Sequence, residues 1–150
     1  MKWPREYPPR PIVAVGVVIW QQDKVLLVRR NKPPRNGAWS IPGGAQKVGE
    51  TVFEAAKREV MEETSLTIQI LGLIDVVDSI RRDNDDRVQY HYTLVDVVAE
   101  WLSGTPDAQT DVSDAAWFDA ASVPALGMWS ETNRIIEISA QIRQGYSKLC

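Results

Sequence analysis

The sequence predicts one α/β (α+β) domain in which a mixed β-sheet is covered by helices. Three observations lead to this fold class: β-branched runs typical of paired strands, two amphipathic helical segments, and short connections between them. A chain of 150 residues can bury one hydrophobic core. Its single cysteine, Cys150, cannot form an intramolecular disulfide or a cysteine-based zinc site. We therefore expect apolar burial to stabilise the fold.

The charge and hydropathy of the chain exclude several classes of function. The formal net charge is −3 and the pI is near 5.2, whereas general nucleic-acid binders carry a basic face. The longest apolar run, residues 11–20, is much shorter than the roughly 20 residues of a membrane-spanning helix. No segment has the pattern of a signal peptide. These features predict a cytoplasmic protein that binds neither nucleic acid nor a membrane.

The first part of the chain predicts an arm and a β-hairpin. Four prolines in residues 1–11 favour an extended N-terminal arm, so the domain itself is expected to span residues 12–150. Residues 12–20 and 25–28 are typical of a hairpin whose first strand is buried. The basic loop that follows leads into residues 39–44, a stretch of Pro and Gly that we expect to continue neither strand.

Residues 51–64 predict the clearest helix, because Phe53, Ala56 and Val60 repeat on one helical face. The rest of the chain predicts a long hairpin, a loop, a short apolar element and a second helix. The two strands of the hairpin are residues 65–77 and 88–101, and the loop is residues 103–114. The short apolar element is residues 116–118, and the second helix is residues 130–144. In the second helix Ser130 is a candidate N-cap, and the residues expected to face inward are Ile135, Ile138 and Ile142.

Three carboxylates, those of Glu59, Glu62 and Glu63, fall within a sector of roughly 100° on the first helix. An exposed acidic face is the common alternative. However, anions are unfavourable in the last helical turn, like charges three or four residues apart repel, and Glu63 continues the apolar stripe. A divalent cation such as Mg²⁺ would offset these costs. Arg58 can pair with Glu54 or Glu62 on the same helix.

The order of residues around this helix forms a specific motif. Gly44 is followed after five residues by Glu50, and after seven more by Arg58-Glu59-Val60, one residue, and Glu62-Glu63. The segment ends at Leu66, and its spacing resembles the Nudix box of the Nudix hydrolases at every position except Ser65, where that family has Gly. Ser65 stands where helices commonly end in a left-handed residue, so the departure affects the helix end and removes no ligand.

The resemblance implies an α/β/α sandwich around a mixed sheet and Mg²⁺- or Mn²⁺-dependent hydrolysis of a pyrophosphate bond in a nucleoside diphosphate derivative. It implies metal ligation by Glu59, Glu62, Glu63, Gly44 and Glu50, and a catalytic set of Glu59, Glu62 and Arg58. The basic loop and one aromatic residue are candidates for binding substrate, namely Arg29, Arg30, Lys32 and Trp129. The general base stays open between a glutamate of the motif and the distal candidates Asp107, Asp111, Asp114 and Glu131.

The substrate that the resemblance favours is ADP-ribose, cleaved to AMP and ribose 5-phosphate. Two alternatives remain open: a nucleoside triphosphate pyrophosphohydrolase that removes damaged nucleotides, and a non-catalytic domain that binds a nucleotide. The expected partner is a small-molecule nucleotide, and a homodimer is compatible with the sequence.

Overall fold

The computed structural model describes residues 4–31, 37–109 and 112–149, and its centre is a mixed β-sheet with one helix packed on each face. The predicted fold class is confirmed. The strands are β1 (Ile12–Gln21), β2 (Lys24–Arg30), β3 (Trp39–Ser40), β4 (Gly43–Ala45), β5 (Thr67–Arg82), β6 (Val88–Ser103) and β7 (Val112–Asp119). The helices are α1 (Val52–Thr64), α2 (Ser130–Leu149) and a 3₁₀ helix (Ala120–Leu126) between β7 and α2.

The sheet has the order β3-β2-β1-β6-β5, with β4 added to β1 and β7 added to β2. β1 pairs parallel with β6 and antiparallel with β2 and β4. Successive residues of β1 alternate between faces, so Val15 and Val17 pack in the cluster of α1, whereas Val18 and Trp20 pack in the cluster of α2. β1 is thus the central strand against which both helices and β4 are placed.

Local sequence explains both ends of α1. Thr51 caps the N-terminus in a capping box with Glu54, and Ser65 ends the helix in the left-handed region with φ 65°. The buried side of α1 includes Ala56, Val60 and Glu63, as predicted. The expected inward orientation of Phe53 is wrong: its side chain is 45% exposed. Ala55, rather than Phe53, completes the buried side against the sheet.

The structure also differs from the predicted strands and second helix. The Pro- and Gly-rich stretch at residues 39–44 contributes β3 and β4, because their backbone groups pair with β2 and β1 across the sheet. The β5–β6 hairpin is longer than predicted, and so is α2. Ser130 is the first residue of α2 rather than its N-cap. Ile135 is buried as expected, but its neighbour Ile136 is more buried than Ile138.

The N-terminal arm lies against the β5–β6 hairpin. The backbone N–H of Tyr7 donates to the carbonyl oxygen of Gln89 at 2.7 Å, and the Tyr7 hydroxyl donates to Asp83 at 2.7 Å. These bonds place residues 8–11 beside one end of β1. Within the described part of the chain, neither helix has the length and apolar character needed to cross a membrane.

Candidate active site

A cavity of about 1110 Å³ extends from the N-terminal end of β1, past β4 and α1, to the start of α2. One part of its wall is formed by the glycines of β4 and by Glu59 and Glu63 of α1. The opposite part is formed by β6 and α2, and the arm supplies the rim. The lining residues of this second part include Asp96 of β6, Trp129 just before α2 and Glu131 of α2. The cavity therefore joins the acidic motif to the polar residues of β6 and α2.

Arg58 is the centre of the acidic cluster. Its guanidinium donates to both carboxylate oxygens of Glu50 at 2.9 and 2.6 Å, to Oε1 of Glu59 at 2.8 Å and to Oε2 of Glu62 at 3.1 Å. It also donates to the carbonyl oxygen of Ala45 at 3.0 Å. The Arg58 guanidinium lowers the pKa of Glu50 to about 2, and Glu50 in turn raises the pKa of Arg58. Arg58 thus connects α1 to β4 and the loop before the helix.

Glu63 forms a second, buried ion pair. Its Oε2 accepts from Nη1 of Arg30 at 2.6 Å and its Oε1 accepts from the backbone N–H of Gly43 at 3.0 Å. Arg30 also donates to the carbonyl oxygen of Ile41 at 3.1 Å. Burial raises the pKa of Glu63, while the positive charge of Arg30 opposes that rise. The pair joins β2, β4 and α1 at the wall of the cavity.

Gly44 provides the space in which the Glu59 carboxylate lies. A β-carbon at position 44 would lie 2.5 Å from Cδ of Glu59 and 2.6 Å from each of its carboxylate oxygens. Any other residue would displace this carboxylate. The glycine of the motif is therefore explained by the close approach between the backbone of β4 and the side chain of Glu59.

The donor set fits a hard divalent cation. Four carboxylates, those of Glu50, Glu59, Glu62 and Glu63, face two guanidinium groups, which leaves a formal excess of two negative charges (4 − 2). In the described ranges no group of three or more His, Cys, Asp or Glu side chains is arranged to hold a metal ion. Mg²⁺ does not need such a group, because it commonly uses one or two carboxylates together with water and substrate phosphate. A carboxylate has about four acceptor positions, so Glu59 can contact Arg58 and a cation together.

The predicted substrate-binding residues have different environments. Arg30 is bound to Glu63, and the Arg29 guanidinium lies 4.8 Å from the ring centroid of Trp39. Trp129 lines the cavity and also packs against the apolar cluster of α2. Lys32 lies outside the described residues. The structure therefore brings Arg30 and Trp129 to the cavity wall and directs the Arg29 guanidinium toward an aromatic ring.

The distal candidates for a general base also lie in different parts of the structure, and not all of them line the cavity. Glu131 lines the cavity, and Oε2 of its carboxylate accepts from Arg134 at 2.6 Å. Asp107 accepts from the side chain of Gln109, and Asp114 lies on β7 opposite Arg29. Neither belongs to the cavity wall as far as the chain is described. Asp111 lies outside the described residues.

Sequence reasoning missed Asp96 and the arm. Asp96 is only 4% exposed and its carboxyl group lines the cavity from β6. Its signal in the sequence is one acidic residue within the apolar run of residues 94–99, where a strand interior is expected to be uncharged. Arg5 and Arg10 of the arm also line the cavity, although the sequence predicted only an extended segment there.

Comparison with known proteins gives consistent results. A sequence model described as the NUDIX domain matches residues 10–137. An ADP-ribose pyrophosphatase of Methanocaldococcus jannaschii is 36% identical over 116 residues, which cover 77% of this chain and 66% of that protein. A human 8-oxo-dGDP phosphatase is 29% identical over 149 residues, 94% of this chain and 45% of that protein. The chain thus spans slightly less than two thirds of the first relative and less than half of the second.

Among solved structures, a MutT NUDIX hydrolase from Burkholderia pseudomallei has the same fold, with a TM-score of 0.74 at 27% identity. The similarity covers 85% of this chain and 97% of that one. The residues matched by the NUDIX sequence model, 10–137, include the strands of the sheet, α1 and the acidic motif.

Proposed function

The chain belongs to the NUDIX family of hydrolases, and from this premise we propose that it hydrolyses a pyrophosphate bond in a nucleoside diphosphate derivative with the help of Mg²⁺ or Mn²⁺. The observation that carries the proposal is the Glu59 carboxylate, held between Arg58 and the bare backbone of Gly44 at the wall of a large cavity. The excess negative charge around it attracts a cation rather than a free phosphate. A diphosphate can bind there only together with that cation.

Glu59, Glu62 and Glu63 are the proposed metal ligands. Glu59 and Glu63 line the cavity, while the Glu62 side chain is 44% exposed and is paired with Arg58. When bound, the divalent cation would acidify water and neutralise charge on the phosphates. Glu63 can keep its bonds to Arg30 and Gly43 and still offer an acceptor position. Gly44 and Glu50 remain proposed as auxiliary contacts of the metal ion.

Arg58 has the role of a positioning residue in this scheme. Its five donors are shared among three carboxylates and one carbonyl oxygen, so the relative positions of Glu50, Glu59 and Glu62 are set before substrate arrives. Glu131 is the distal candidate for accepting the proton of the attacking water, since it lines the cavity. Its carboxylate Oε2 is paired with Nε of Arg134 at 2.6 Å.

ADP-ribose is the proposed substrate, with AMP and ribose 5-phosphate as products. The support is the activity for which the archaeal relative is named, and the size of the cavity, which suits a ligand larger than a diphosphate alone. An oxidised purine nucleotide is the second candidate, because the human relative is named for 8-oxo-dGDP. The two candidates differ in the base, in the sugar of the nucleoside, and in the ribose that only ADP-ribose carries on its second phosphate.

The test is product identification after incubation with Mg²⁺. The panel contains ADP-ribose, 8-oxo-dGDP, 8-oxo-dGTP, unmodified nucleoside triphosphates, NADH and dinucleoside polyphosphates. We expect AMP and ribose 5-phosphate from ADP-ribose, with activity lost in Glu59→Gln and kept in the matched control Glu137→Gln, an exposed residue of α2. Cleavage of 8-oxo-dGDP in preference to ADP-ribose would select the second candidate. If the chain binds these nucleotides but forms no product, it is not a hydrolase, and the remaining interpretation is a non-catalytic domain that binds a nucleotide.

A further inference from the structure

Asp96 is a buried acidic side chain that the proposed chemistry does not use. It is 4% exposed and lies on β6, in register with Gly16 of β1 and Asp75 of β5. Its carboxyl group makes no hydrogen bond or ion pair with residues 4–31, 37–109 or 112–149. An unpaired carboxyl group in a protein interior is costly, because it loses water without gaining a partner. The group nevertheless lies at the cavity wall, where a ligand can reach it.

Gly16 keeps the space next to this carboxyl group open. A β-carbon at position 16 would overlap Oδ1 of Asp96 and lie 2.8 Å from Cδ1 of Ile41. Gly16 is also the residue of β1 that pairs with Gly43 of β4. The glycine therefore lies between Asp96 and β4, the strand whose Gly44 contacts Glu59 of the acidic motif. One ligand can thus contact Asp96 with one end and the acidic motif with the other, because both line the same cavity.

The charged groups facing Asp96 come from β5 and α2. Arg134 of α2 donates to Asp75 at 3.0 Å and to Glu131 at 2.6 Å, so its guanidinium is already shared by two other carboxylates. The pKa of Asp96 is raised to about 6, mainly by burial and also by the negative charges of Asp75 and Glu131, while the positive charge of Arg134 opposes the rise. Near pH 7.5 the group is mostly ionised, so it accepts hydrogen bonds rather than donating them.

We propose that Asp96 determines substrate specificity by accepting hydrogen bonds from a neutral donor group on the nucleoside part of the substrate. This inference rests on the proposed function. A phosphate is excluded as its partner, because Asp75, Asp96 and Glu131 together would repel it. The neutral parts of a nucleotide offer two kinds of donor, the amino groups of a base and the hydroxyl groups of a sugar. A ligand that supplies either kind of donor offsets the desolvation of the buried carboxylate and binds more tightly. A ligand without such a donor leaves the carboxylate without a hydrogen bond and binds more weakly.

The experiment compares pairs of nucleotides that differ by one donor, with and without the carboxylate. Dissociation constants are measured by calorimetry at pH 7.5, with Ca²⁺ in place of Mg²⁺, for the wild type, Asp96→Asn and the matched control Asp78→Asn, an exposed residue of β5. GDP against IDP and ADP against purine riboside diphosphate test amino groups of the base. ADP against its 2′-deoxy and 3′-deoxy forms tests the hydroxyl groups of the sugar.

We expect one pair to differ by about 10-fold or more in the wild type and in Asp78→Asn, and by clearly less in Asp96→Asn, whose amide oxygen accepts only a weaker, uncharged hydrogen bond. The pair that shows this coupling identifies the base or the sugar as the donor. No coupling in any pair, with nucleotides still bound, overturns the role of Asp96 and leaves the proposed function intact. Failure of the wild type to bind any of these nucleotides overturns both.

A measurement on the wild type alone covers the case in which Asp96→Asn does not fold. As the pH falls from 7.5 to 5, Asp96 becomes protonated and its negative charge is lost. The discrimination within the responsive pair should then decrease, and the comparison within a pair cancels the titration of the phosphates. Discrimination that stays constant over this range contradicts the proposal. A purely structural role for Asp96 would change the melting temperature without changing the ratio.

Discussion

Replacing Gly44 with alanine tests whether the Glu59 carboxylate has to lie against the backbone of β4. The added carbon would lie 2.5 Å from Cδ of Glu59, whereas ordinary contacts begin near 3.4 Å. The carboxylate therefore has to move by about 1 Å, because close packing of Ala56 and Val60 prevents α1 itself from moving away. Alanine is otherwise acceptable at this position, since Gly44 does not have a positive φ.

A displacement of this size is large for a metal ligand. A shift of about 1 Å in a positioned group costs on the order of 10²-fold in rate, and disturbed ligand support typically costs about 10- to 100-fold in metal affinity. We therefore expect Gly44→Ala to reduce kcat/KM for ADP-ribose by about 10²-fold and to weaken Mn²⁺ binding by about 10-fold or more. The melting temperature should change little, because the buried core of α1 stays in place.

Mn²⁺ affinity is measured by the electron paramagnetic resonance signal of the free ion, without nucleotide, and activity by release of AMP. Gly72→Ala is the matched control, because a β-carbon at Gly72 meets no atom within 4 Å. It should leave both measurements unchanged. Wild-type Mn²⁺ affinity and activity in Gly44→Ala would refute the idea that the position of Glu59 determines metal binding.

Three further substitutions test the motif and the cavity. Glu62→Gln should lower kcat by at least about 10²-fold with an unchanged melting temperature, because it removes a charged ligand from an exposed position. Steady-state kinetics over a range of Mg²⁺ concentrations measures this, and wild-type kcat at saturating Mg²⁺ contradicts the ligand role. Ser65→Gly should leave the free energy of unfolding unchanged or raise it by up to about 1 kcal/mol, since Ser65 has a φ of 65°. Urea denaturation tests this, and a clear loss of stability would show that the serine side chain stabilises the helix end. Trp129→Ala should lower the melting temperature and raise KM by about 10-fold, because the ring packs on the core and lines the cavity. A thermal melt combined with kinetics separates the two effects, and an unchanged KM argues against stacking on the nucleobase.

The parts of the molecule that depend on neighbouring residues could be predicted from the sequence. α1 ends within one residue of its predicted bounds, because Thr51 and Ser65 make their capping bonds to atoms three or four residues away. The contact between Glu62 and Arg58 follows from their i,i+4 spacing on the helix. Short-range geometry of this kind is nearly independent of the remaining chain.

The parts that depend on distant residues were decided by the tertiary structure. Glu63 and Arg30 are 33 positions apart, and only the placement of β2 beside α1 makes their ion pair possible. Phe53 has the right helical phase for burial but is 45% exposed, and Ala55 packs in the core beside Ala56 and Val60. Asp96 and Gly16 become neighbours because β1 and β6 pair in parallel, and such a pairing can form only across a long connection. Helical spacing therefore accounts for the acidic motif, whereas the order of the strands determines the cavity beside it.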